Sequence, residues 1–303
     1  MIRIITRSFF ALFILMKSIR IFIPLIFSVF GGNPALAAVI WQQEFNSGSD
    51  LESDYIGEGA NQFDAVTSSG AGLTWAILDG ALQATRSGNA GSLTISGDDF
   101  AAQVLLVEMR LQISTVASPA TTSIMFAVGS AFDHKNTHPN NDVTHSDFSI
   151  NLNSDVPDSF RFRDHDGETN LGNTEEGTDA IATGQWVDLW WGINNSGADL
   201  SYTRPDGSTT TLQDDRWDLW AKVNGTWHLI GNNPSNANNA GDTLDDFKVT
   251  FTRGEGTLLL DSIRLSNAIG IVPEPSGILL AAAGSVVLPL NRRRQGQGTR
   301  RTA

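Results

Sequence analysis

The 303-residue chain contains no cysteine. No disulfide, thiol nucleophile or thiolate metal site is therefore available, and stability must come from an apolar core. Positive charge is also scarce: 20 Lys and Arg stand against 33 Asp and Glu, a net charge of −13. No basic stripe occurs, which argues against a nucleic-acid interface. Motif-borne chemistry is equally thin. There is no Gly-x-Ser-x-Gly elbow, no phosphate loop and no His-Glu-x-x-His pair. Long apolar runs occur only near the two ends.

What is present begins with those ends. Arg3, Arg7, Lys17 and Arg20 precede the apolar run Ile21 to Phe30, and a Gly-Gly-Asn-Pro break leads to Ala35-Leu36-Ala37. That order predicts a signal peptide over 1–37, cleaved after Ala37, with Ala35 and Ala37 as the small-residue site. Met16 offers an alternative start, because Met16-Lys17-Ser18-Ile19-Arg20 is a basic segment by itself. At the other end Gly277 to Leu290 carries no charge. Fourteen residues are fewer than the roughly 20 of a full helical span. Pro273 and Pro275 block helix extension on one side, and Arg292, Arg293 and Arg294 stay cytoplasmic by the positive-inside rule. The segment reads as a brief membrane anchor behind an extended Pro-Glu-Pro stretch that a processing enzyme can bind.

Val272-Pro273-Glu274-Pro275-Ser276, an apolar helix and an arginine-rich end resemble the PEP-CTERM sorting signal of Gram-negative bacteria. The resemblance covers about the last thirty residues, here 269–303. It implies handling by an exosortase, removal of the tail, and delivery to the cell surface or an exopolysaccharide matrix. Pro289 departs from the pattern by kinking or shortening the helix. Without the leader and the tail, 11 basic and 32 acidic residues remain, a net charge near −21. Such a surface favours solubility and repels nucleic acid and anionic lipid. Membrane contact is expected only through the terminal segments.

The body, 38–268, alternates with period two between Gly, Asn, Asp and Ser punctuation, which predicts an all-β, antiparallel β-sandwich. Val104 to Ile113 is the clearest strand. Leu105, Val107, Met109, Leu111 and Ile113 share one face; Glu108, Arg110 and Gln112 share the other. Asp246 to Thr252 repeats this, with Phe247, Val249 and Phe251 inward and Lys248, Thr250 and Thr252 toward water. Asp79-Gly80 predicts a type I′ hairpin turn between Leu73–Leu78 and Ala81–Thr85. Asp214 to Trp220 reads as a short helical turn, and 164–184 and 231–241 as long loops. Trp41, Glu44 and Phe45 on the first strand, the hairpin after them and the closing strand Leu258 to Leu265 resemble the laminin-G-like (concanavalin-like) jelly rolls. Phe160-Arg161-Phe162-Arg163-Asp164, followed by Gly184 to Trp190, is similar to that group too.

A retaining glucanase on such a fold would carry Glu-x-Asp-x-x-Glu on one strand. No such run exists, and adjacent pairs such as Asp214-Asp215 point to opposite faces of a strand. A non-enzymatic protein, glycan-binding or structural, is therefore expected, the alternative being a glycan hydrolase or lyase built from scattered acids. On Trp186 to Asn194, the residues Trp186, Asp188, Trp190 and Asn194 share one face. Aromatic faces stack on sugar rings, while carboxylates and amides accept or donate to hydroxyls. Arg161 and Arg163 are placed on a nearby strand. Equally, a loop bearing Trp217 and Trp220 could cover Trp186 and Trp190 as a second small core. Calcium is considered at Asp164 and Asp166, which offer oxygen ligands beside Gly167. Asp261 shares a strand face with Leu259, Ile263 and Leu265 and would need a partner if buried; the jelly-roll resemblance implies a calcium tying the first and last strands there, with Glu44 as its mate. A plain acidic turn and a hydrogen-bonded Asp are the respective alternatives. His134, His138 and His145 mark either a metal- or pH-sensitive loop or a polar solvated one.

Overall fold

The computed structural model describes residues 38–270, apart from 47, 60, 89, 99, 153–155, 165–179 and 236–239. Both terminal signals, with Ala35, Ala37, Pro273 to Pro275 and Arg292 to Arg294, lie outside the described residues, as does Asp166.

In chain order the strands are β1 (Val39–Glu44), β2 (Ala65–Ser69), β3 (Leu73–Leu78), β4 (Ala81–Arg86), β5 (Ser92–Gly97) and β6 (Val104–Ser118). Next come β7 (Ile124–Gly129), β8 (Thr144–Asn151), β9 (Ser159–Asp164), β10 (Ile181–Ala182), β11 (Trp186–Asn194) and β12 (Leu200–Thr203). The last are β13 (Thr209–Leu212), β14 (Arg216–Val223), β15 (Thr226–Pro234), β16 (Asp246–Phe251) and β17 (Glu255–Ser266). One short helix, Leu51–Tyr55, is capped by Asp50, whose carboxylate accepts from the Glu52 amide at 3.0 Å.

The strands form two antiparallel sheets that the chain crosses between repeatedly, the architecture of a β-sandwich. The large sheet runs β15-β14-β11-β6-β17-β4-β3, with β1 added beside β17. The second sheet runs β10-β9-β8-β7-β16-β5-β2, and β12-β13 is a separate hairpin. Period-two patterning sends one face of each sheet into a shared core. On β6 the five residues from Leu105 to Ile113 are buried as their alternation predicts. Trp191 of the large sheet meets Phe148 of the second edge to face, centroids 4.9 Å apart, and Phe148 stacks on Phe126 at 4.8 Å. Side chains of this size each contribute on the order of 2–3 kcal/mol by leaving water.

Turn chemistry sets the hairpins. Asp79 and Gly80 have φ of 52° and 78°, the two positive values a type I′ turn requires. Asn224 and Gly225 do the same between β14 and β15, at 52° and 83°. Asp214 to Trp220 is accordingly no helical turn: from Arg216 onward it is β14, a strand inside the large sheet.

The outer face of the second sheet differs from expectation more deeply. Lys248 and Thr250 are as buried as Phe247 and Val249. The segment 130–142 crosses that face and roofs it. The Asp133 carbonyl accepts from Lys248 Nζ at 2.6 Å, His134 Nδ1 meets Ser96 Oγ at 3.0 Å, and Asn136 pairs with Thr67 and Ser92. His138 Nε2 lies 3.1 Å from Asp147. The histidine segment is a packed strap rather than a solvated loop.

Candidate functional site

The outer face of the large sheet stays open in its middle. An open depression of about 430 Å³ spans β1, β17, β6 and β11, with Trp227 at its β15 edge. Strand register explains which side chains meet there. One transverse row runs Trp227, Lys222, Asp188, Arg110, Ser262, Glu44. The next runs Leu229, Trp220, Trp190, Glu108, Arg264, Gln42. Directly opposed residues lie close enough to interact, so the register alternates charge along much of the first row and sets Glu108 against Arg264 in the second.

Arg110 is the centre of the first row. Its guanidinium sits 3.7 Å from Asp188 and 3.4 Å from Asp261, and lies over the Trp186 ring at 5.1 Å. In the second row Arg264 meets Glu108 at 3.6 Å. Burial holds the Glu108 carboxyl above the usual carboxylate range, with Arg264 pulling the other way. Lys222 lies over Trp227 at 5.8 Å. Trp186 and Trp227 are each half-buried, with part of their surface left to solvent.

A bulge places Asp261. The β17–β6 register shifts between Leu260 and Ser262, leaving Asp261 as the extra residue. Beside β17, β4 pairs with residues up to Leu260 and β1 begins at Ser262, so Asp261 pairs with neither. The bulge reverses the alternation: Leu258 and Leu260 face the core, then Ile263 and Leu265 do. Asp261 is thus not an inward carboxylate sharing a face with Ile263; it lines the depression and meets Arg110.

Of the candidate ligand-binding residues, the structure brings Trp186 and Asp188 to this region and separates Trp190, Asn194, Arg161 and Arg163 from it or closes them off; the candidate metal ligands Glu44 and Asp261 both line it. Trp190 forms part of the floor but is 6% exposed, stacked on Tyr202 at 5.2 Å. With Leu106, Leu212, Trp220 and Ile269 it forms a small second core under the β12-β13 hairpin. That hairpin and Ile269, rather than a loop bearing Trp217, are the cover; Trp217 faces the main core. Tyr202 donates its hydroxyl to Asp218, which also accepts from Asn232 Nδ2. Asn194 is fully buried, donating to the carbonyls of Ala198, Leu212 and Gln213, so it shapes the β11–β12 turn and cannot reach a ligand. Arg161 and Arg163 stand on β9, in the other sheet.

Calcium finds no set of ligands among the described residues. No group of three or more His, Asp and Glu is arranged to hold a metal ion there. Glu44 and Asp261 share the depression, but Glu44 accepts from Gln42 Nε2 at 2.6 Å and Asp261 faces Arg110. Two carboxylates, one of them facing a guanidinium, fall short of the six to eight oxygens calcium takes. The Asp164 backbone closes β9, and the loop containing Asp166 is outside the described residues.

Sequence reasoning missed Trp227, Glu108 and Arg264 as neighbours. The Asn224-Gly225 dipeptide was the available signal, since it folds β15 back and delivers Trp227 to the row.

No model of a known protein family and no curated protein matches the chain. Solved structures that resemble it include a carbohydrate esterase from the Shiga toxin-encoding bacteriophage phi24B. That likeness has 13% identity and a TM-score of 0.42, and covers 77% of this chain and 99% of that one. An alginate lyase gives 13% identity, a TM-score of 0.43, and 76% and 97% coverage. Peanut lectin gives 11% identity, a TM-score of 0.42, and 74% and 96% coverage.

Proposed function

We propose that this is an exported, non-enzymatic protein of the cell surface or extracellular matrix that binds glycan on the outer face of its large sheet. The observation that carries the binding reading is the depression itself. Half-buried Trp227 lines it, Trp186 is held beside it under Arg110, and polar groups from four strands face the space between. Indole faces take the apolar faces of sugar rings, and carboxylates and guanidinium groups take hydroxyl hydrogen bonds. Export and sorting rest on the terminal segments: a leader cleaved after Ala37, and Pro273-Glu274-Pro275 with Arg292 to Arg294 presented to an exosortase-type enzyme. The anchor meets the membrane of a Gram-negative bacterium and the acidic body stays outside it.

The test is retention of the full chain, purified in mild detergent, on a panel of polysaccharides with calcium or chelator. Trp227→Ala and Trp186→Ala should each release it; unchanged retention removes this site. Glu108 supports the second reading, a glycan hydrolase or lyase, because burial shifts its carboxyl above the usual range, the direction a general acid needs, against the pull of Arg264. New reducing ends or unsaturated sugars, lost in Glu108→Gln, would establish that reading instead.

A further inference from the structure

We propose, building on the glycan reading of the depression, that its ligand is an amino-sugar polymer with free amines rather than a uronate or sulfated one. Four carboxylates line the depression, from Glu44, Glu108, Asp188 and Asp261, against two guanidinium groups. Both guanidinium groups already face acids. Arg110 is held between Asp188 and Asp261, and Arg264 faces Glu108. A ligand carboxylate or sulfate drawn to either guanidinium would sit among these acids, an arrangement that like charge opposes.

An ammonium group meets the opposite situation. Glu44 is exposed at the rim, and its bonded neighbour is the neutral amide of Gln42. Its carboxylate keeps lone pairs for a charge-assisted hydrogen bond. The bulge contributes by turning Asp261 to the same outer face as Glu44, where its carboxylate meets Arg110 on the β6 side of β17. The chain's net charge of −13 adds attraction at longer range. Trp227 and Trp186 provide ring contact, and the acids select the amine.

The experiment compares three oligosaccharides of equal length against the full chain in mild detergent: a glucosamine oligomer, its N-acetylated counterpart and an oligouronate. At low salt the glucosamine oligomer should bind about tenfold more tightly than the N-acetylated one, and the oligouronate should not bind. The preference should shrink as salt rises. Glu44→Gln should reduce it about threefold. Asp142→Asn removes the same charge from the strap over the other sheet and should leave it unchanged. Equal binding of free and acetylated oligomers overturns the amine preference while the glycan reading stands. An equal loss in Asp142→Asn overturns it too, by tracing the preference to the acidic body as a whole. No binding of any oligomer, with Trp227→Ala silent, overturns the glycan reading and the preference together.

Discussion

The outer faces of the two sheets begin from the same rule and end differently. Both come from strands that alternate apolar and polar residues. On the large sheet the polar side is open at its middle and forms a row of opposed charges, while one end is covered by an apolar contact, Trp190 on Tyr202. On the second sheet the polar side is covered by the strap 130–142, which puts Lys248, Thr94 and Thr250 out of solvent. Alternation decides which residues face away from the core. It does not decide whether water reaches them, because that depends on where a connection of a dozen residues is laid.

The apolar cover should be the costlier one to remove. Tyr202→Ala takes away the stack on Trp190 and leaves buried Asp218 with Asn232 as its remaining side-chain donor. A loss of about 3–5 kcal/mol is expected from the cavity and the lost donor. Tyr202→Phe keeps the stack and should cost about 1–2 kcal/mol. Urea unfolding at neutral pH measures both. Equal losses in the two variants would mean that the hydroxyl, not the ring, holds the hairpin.

The second sheet should be the pH-sensitive one. Burial pushes His145 down to about 4, against the upward pull of Asn195, Asp214 and Asp242. Its contribution is complete above the unfolded value near 6.5 and is lost as pH falls toward 4, about 3 kcal/mol in all. Asp246 has the opposite sign. Burial, with Asp245 and Asp98 nearby, raises it to about 6 while the Phe132 amide pulls it down. Its contribution is present below the unfolded value and disappears as pH rises through 6. The two offset one another between pH 6 and 4. Asp246→Asn should therefore unmask His145, so that the urea midpoint of the variant falls on acidification from pH 7 to 4 more than that of the parent chain. A parallel decline in both would sink the offset.

A polar cover is expected to matter less to global stability than to local order. Lys248→Met replaces a buried ammonium by an apolar chain of similar length and frees the Asp133 carbonyl. Global stability should move by no more than about 1 kcal/mol, because the lost contact and the relieved desolvation oppose each other. Amide exchange at 133–138 should accelerate all the same. The smallest effect belongs to the open depression. Trp227→Ala should change stability by less than about 1 kcal/mol, the residue being only half-buried, while removing glycan retention. A large stability loss there would make Trp227 a packing residue.

Patterning in the amino-acid sequence determined the sandwich class, the inward residues of β6 and the Asp79-Gly80 hairpin, because each follows from local sterics and side-chain parity. It placed Trp186 and Asp188 on one face for the same reason. It could not pair them with Arg110, Glu108 and Trp227, which come from strands up to 120 residues apart and meet only through sheet order. Asp261 shows the limit most clearly. A single bulge residue reverses the parity of β17, and a bulge is a property of two paired strands, so period two along one strand puts Asp261 on the face of Ile263 and Leu265. Arg161 and Arg163 were assigned to the wrong neighbourhood because alternation gives a face but not a sheet. The tertiary structure alone decided which polar faces are open, since burial depends on the strap and hairpin that happen to cross each sheet, and a covering segment has no periodicity of its own to announce it.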